Sequence, residues 1–104
     1  FHMFLGESKL ENLNHLPGDF ITIFQFSDCP EGEAPHDRHN DKIRVLPGDG
    51  CLPLVETLKT LHRIDYRGPI SLELYNPEYR LREPKSFLKE AFAKTLSVIE
   101  KAST

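Results

Sequence analysis

The chain holds no apolar run near the roughly 20 residues that a membrane-spanning helix requires. Basic residues are also short: 13 Lys and Arg stand against 16 Asp and Glu, for a formal charge of −3. Nucleic acids and anionic membranes attract clustered basic faces, and this balance supplies none, so both are set aside as partners. Only two cysteines occur, Cys29 and Cys51. Two do not make the dense framework of a small secreted domain, so a reducing, cytoplasmic setting is the expectation. The opening Phe1-His-Met-Phe-Leu-Gly6 has neither the basic region nor the cleavage site of a secretory signal. No internal repeat or low-complexity stretch is present, and 104 residues fit one domain at most.

What is there alternates between helix and strand patterns. Ser8-Lys-Leu-Glu11 has the form of a capping box, and Leu10, Leu13 and Leu16 predict a short helix ended by Pro17-Gly18-Asp19. Phe20-Ile-Thr-Ile-Phe-Gln-Phe26 is β-branched and aromatic on both faces, as in a parallel strand covered by helices. Residues 28–50 read as a long polar loop rich in Pro and Gly, of a length that is usually functional or disordered. Pro53 then suits the first position of a helix carrying Leu54, Leu58 and Leu61 at i, i+4 and i+7. Arg67-Gly68-Pro69 breaks that helix before a strand over Pro69–Tyr75, and Pro84 opens a last helix with Phe87, Leu88, Ala91, Phe92 and Leu96 on one packing stripe. The order describes a right-handed βαβ unit in a parallel sheet. Two strands leave both sheet edges and most of both faces uncovered, which predicts a piece of a larger domain.

Glu73 is the residue that asks for a functional explanation. Ile70, Leu72 and Leu74 fall on one face of its strand, and Ser71, Glu73 and Tyr75 on the other. A carboxylate inside such a run costs several kcal/mol, roughly, unless a metal, a cation or a set of donors holds it.

Three segments together carry a resemblance: Ile21-Thr-Ile-Phe-Gln-Phe-Ser-Asp28, Arg44-Val-Leu-Pro-Gly-Asp-Gly50 and Tyr66-Arg-Gly-Pro-Ile-Ser-Leu-Glu-Leu-Tyr-Asn-Pro-Glu-Tyr79. In this order they resemble the xylose-isomerase-like superfamily of metal-dependent TIM barrels. The pattern is nearest to inosose isomerases, with 3-dehydroshikimate dehydratases next. The resemblance implies an α/β fold consisting of the last two strands and flanking helices of a (β/α)8 barrel. Residues 1–104 would be the C-terminal segment of a single barrel domain, and an upstream barrel segment would be its partner. It implies Gln25 and Glu73 as ligands of a divalent metal (Mn, Mg, Co or Zn), Glu73 as the catalytic carboxylate, and Arg44 and His2 as substrate contacts. Phe1-His2 matches the end of an Asp-x-Phe-His motif whose Asp would precede Phe1, together with two further ligands. The implied substrate is a polyol ketone or keto-sugar, and a homo-oligomer is compatible with the pattern.

A hard divalent cation takes oxygen donors, which Glu73 and the Gln25 carbonyl offer. Such a metal is a Lewis acid toward a ketone, and a neighbouring carboxylate moves the proton of the adjacent carbon. Reprotonation at the next carbon isomerises, return on the other face epimerises, and loss of a β-hydroxyl dehydrates. Each residue also has a plainer reading: Glu73 in a buried ion pair, Gln25 as a bonded core amide, Arg44 and His2 as solvated side chains. Asp28 reads as turn chemistry before it reads as an orienting carboxylate. Cys29, His36, His39 and Cys51 have no usual zinc spacing, and the two histidines are expected on a lid loop over the site. Other functional classes are a non-catalytic segment that only packs with upstream strands, and a barrel acting on abasic DNA, which the acidic balance disfavours.

Overall fold

The computed structural model describes residues 1–32 and 41–104. His36 and His39, with the expected lid, lie outside the described residues. A short helix α1 (His2–Leu5) and a 3-10 helix (Leu10–His15) precede strand β1 (Phe24–Phe26); helix α2 (Leu54–Arg63), strand β2 (Ile70–Leu72) and helix α3 (Pro84–Ala102) follow. β1 and β2 pair in parallel, Phe24 opposite Ile70, Gln25 opposite Ser71 and Phe26 opposite Leu72. The alternation expected from the sequence therefore stands, and the second edge of each strand has no partner among the described residues.

Element lengths depart from the sequence reading. The first rung of the ladder is the Phe24 N–H to the Pro69 carbonyl at 3.2 Å. Phe20–Ile23, although suited to a strand by residue type, precedes it, and Gly18–Phe20 turns as a 3-10 helix instead. β-Propensity reports fit to a paired surface, and no partner strand is present there among the described residues. The Ser8–Glu11 capping box is not made: Lys9 is the cap residue, without a side-chain bond, and the turn it opens is 3-10. Pro53 is the cap of α2, one position before the expected one.

α2 buries Leu54, Leu58 and Leu61 as its spacing dictates, and they form the core with Leu13, Phe26 and Val98. The buried Thr57 and Thr60 hydroxyls donate to Pro53 O at 2.8 Å and Glu56 O at 2.9 Å, one turn back, so no polar atom is stranded there. α3 corrects the sequence stripe. Its buried positions are Ala91 and Val98, with Phe87 half-buried, whereas Leu88, Phe92 and Leu96 are 65 %, 69 % and 40 % exposed. The line through 88, 92 and 96 lies about 100° around the helix from the line through 87 and 91, on the more exposed side.

α3 starts where Glu83 caps it, accepting from the Lys85 and Ser86 N–H groups, with Pro84 at the first helical position. The hydrogen bonds from Ser86, side chain and backbone, and from Lys85 hold the Glu83 carboxyl below the ordinary glutamate range. A lowered carboxyl pKa stabilises the folded state fully above that ordinary range and ceases to as pH falls through the lowered value. Protection of the Lys85 and Ser86 amides from exchange, relative to free peptide at the same pH, is therefore expected to fall across that acidic interval, and Glu83→Ala to abolish that fall. No described helix is long and apolar enough to cross a membrane.

Candidate functional site

β1 and β2 set the site through register. Because Gln25 lies opposite Ser71, and side chains alternate along β2, Gln25, Ser71 and Glu73 project from one face of the pair. Glu73 sits one residue beyond β2, where its N–H still donates to Phe26 O at 3.0 Å and so keeps the strand direction. Gln25 is exposed in this segment. Glu73 keeps 32 % of its side-chain exposure, so the full burial inferred from its apolar neighbours is not observed.

Arg44, in contrast, is only 3 % exposed. Its Nη1 donates to Glu73 Oε2 at 3.0 Å, its Nε donates to Asp41 O at 3.2 Å, and its Nη2 lies 3.4 Å from Asp41 Oδ1. The guanidinium lies 5.2 Å from the centroids of both the Phe1 and Tyr75 rings, a stacking that suits a weakly hydrated planar cation. The ion pair that forms the plainer reading of Glu73 is thus present, and its basic partner is another candidate site residue. His2 Nε2 lies 3.0 Å from Asp41 Oδ1.

Asp41 is the residue that sequence reasoning missed. It joins His2 to Arg44 from within a one-turn 3-10 helix (Asp41–Ile43), and its only sequence signal is the i, i+3 spacing to Arg44. Asn76 was also missed: its Nδ2 donates to the Arg44 carbonyl at 3.2 Å, tying the chain after β2 to the Arg44 loop.

His2, Gln25, Arg44 and Glu73, from four separate segments, line one cavity of about 330 Å3. Phe24, Phe26 and Leu54 form an apolar part of its wall. Since Phe24 and Phe26 face away from Gln25, the cavity wraps around the open edge of β1. Cys29 and Cys51 are the described half of the zinc reading, and each thiol points to the Pro30 carbonyl, at 3.7 and 3.9 Å; His36 and His39 lie outside the described residues. Among the described residues no three His, Cys, Asp or Glu side chains converge as a metal site. The oxygens of Gln25 and Glu73 fit a hard cation by type and by shared face, but two such donors leave its coordination incomplete.

A family model, the xylose isomerase-like TIM barrel, matches residues 1–91. This chain belongs to that family. An inosose isomerase of Bacillus licheniformis is 32 % identical over 101 residues, 97 % of this chain and 36 % of the relative. A 3-dehydroshikimate dehydratase of Pseudomonas putida is 29 % identical over 80 residues, 77 % of this chain and 13 % of the relative. A crystal structure of the IOLI protein with a zinc atom matches at TM-score 0.82 and 29 % identity, over 91 % of this chain and 34 % of that one. A xylose isomerase domain protein from Alicyclobacillus acidocaldarius also matches at 0.82, with 27 % identity, over 98 % of this chain and 36 % of that one. The chain spans about a third of the length of the inosose isomerase and of both solved structures. It therefore has the fold of part of a TIM barrel, and its curated relatives are enzymes of small-molecule metabolism.

Proposed function

We propose that the chain is the C-terminal portion of a single barrel domain, contributing the last two strands of an enzyme that isomerises or epimerises a polyol ketone in the cytoplasm. The observation that carries this reading is the convergence of His2, Gln25, Arg44 and Glu73 on one cavity, at the ends of parallel strands where TIM barrels keep their chemistry. Gln25 and Glu73 would hold a divalent ion together with ligands from the upstream strands. When bound, that ion supplies a Lewis acid toward the ketone oxygen.

The remaining work falls to side chains. Glu73 moves the proton between the carbon beside the ketone and its neighbour. Arg44, held by Asp41 and flanked by Phe1 and Tyr75, clamps a substrate oxygen through its fixed donors. His2, kept by Asp41 near the cavity mouth, contacts a substrate hydroxyl. The apolar wall at the open edge of β1 is the surface the preceding strand covers.

The similarity to a 3-dehydroshikimate dehydratase supports a second reading in which a β-hydroxyl leaves as water. One experiment separates the two. The chain is joined to its own upstream strands, or to those of the Bacillus licheniformis relative, and this complete barrel is given inosose or 3-dehydroshikimate with Mn2+. An isomeric product of unchanged mass is expected from inosose. Loss of one water from 3-dehydroshikimate selects the dehydratase, and turnover of neither substrate by a folded barrel contradicts the enzyme reading.

A further inference from the structure

Asp28 follows β1 directly and is 1 % exposed, yet it carries a carboxylate. Four backbone N–H groups surround it. Oδ1 accepts from Cys29 at 2.9 Å and Leu52 at 3.0 Å, and Oδ2 accepts from Gly48 at 2.9 Å and Gly50 at 3.1 Å. A turn residue needs one or two local bonds, whereas three of these donors lie 20 to 24 residues away along the chain.

The loop is shaped to bring those donors in. Gly48 adopts φ +90°, which other residues rarely do, and a Cβ at Gly50 would stand 2.2 Å from Cys29 O and 2.5 Å from Asp28 Oδ1. The backbone of Asp28 reaches the same loop from the other side. Its N–H donates to Val45 O at 2.9 Å and its carbonyl accepts from Val45 N–H at 3.1 Å. Asp28 therefore grips the loop at Val45 and at 48–52, immediately after Arg44.

We infer that Asp28 is the positioning residue for Arg44: its carboxylate fixes the loop so that the guanidinium stands between Phe1 and Tyr75 against Glu73. Asp28 does not face the ligand itself. It acts through Arg44, and its catalytic consequence rests on the function proposed above. The sequence reading of Asp28 as turn chemistry is thereby extended to a second task.

The test uses the complete barrel with Asp28→Asn, which keeps the side-chain volume but turns one acceptor into a donor facing two N–H groups. The KM for inosose is expected to rise about tenfold with kcat changed less than about threefold. In an Arg44→Ala background the same substitution is expected to move KM less than about twofold, because the residue it positions is gone. Equal effects in both backgrounds, or a lowered melting temperature with KM unchanged, overturn the inference and leave a purely structural Asp28. If the unsubstituted barrel turns over neither substrate, the functional reading fails, and the Arg44 Nε–H resonance still decides the positioning. A displaced signal in folded Asp28→Asn supports it, and an unmoved one overturns it. If Asp28→Asn does not fold, amide exchange in the unsubstituted barrel decides. Concerted slow exchange at Gly48, Gly50 and Leu52 supports the grip, and open-loop rates there overturn it.

Discussion

Glu73→Gln in the complete barrel is expected to lower kcat/KM on the order of a thousandfold, the scale of several kcal/mol lost when a metal ligand and proton carrier are removed together. Stability is expected to change little by comparison, by about 1 kcal/mol. The neutral amide still offers Arg44 an oxygen, Arg44 keeps its bonds to Asp41, and Glu73 is one-third exposed. The contrast between the two numbers distinguishes the readings of this residue. A carboxylate present only to neutralise Arg44 would give a stability loss with activity nearly intact. Steady-state kinetics alongside chemical denaturation of the same variant measures both.

The second large effect concerns the segment itself. Residues 1–104 expose Phe20 at 74 %, Leu81 at 89 %, Leu88 at 65 % and Phe92 at 69 %, beside two strands with open edges. Covering Leu88, Phe92 and Leu96 alone is worth roughly 4 kcal/mol or more, a sizeable fraction of the roughly 5–15 kcal/mol that separates a folded domain from its unfolded chain. The isolated segment is therefore expected to self-associate and to bind a hydrophobic dye. Joined to the upstream strands, it is expected to unfold cooperatively and to lose the dye signal. Light scattering and denaturant titration check this, and a cooperative 12.0 kDa monomer with no dye binding would contradict it.

Features that depend on local pattern were legible in the sequence. The leucine spacing of α2, Pro84 at the start of α3 and the shared parity of Ser71 and Glu73 all follow from residue type and period. What depends on a distant partner was not. Phe20–Ile23 has strand residues but no rung to join, so β1 is only Phe24–Phe26. The apolar stripe of α3 was visible, yet its content does not say which neighbouring line finds a partner, and the observed core takes Ala91 and Val98 instead. In the site, Glu73 and Gln25 announced themselves as polar residues within apolar strands. Asp41 is one acid in a polar loop, and its role appears only once the fold brings His2 and Arg44 to it. Asp28 left a faint signal in the glycines at 48 and 50, whose missing side chains let four N–H groups reach one carboxylate.

The role proposed for Gln25 and Glu73 is to hold one divalent ion together. The measurement that tests it most directly is the anomalous diffraction of the complete barrel crystallised with Mn2+. One peak is expected, at about 2.0–2.4 Å from a Glu73 carboxylate oxygen and from the Gln25 side-chain oxygen. A peak elsewhere, or none, with Glu73 still bonded to Arg44 alone, would contradict it.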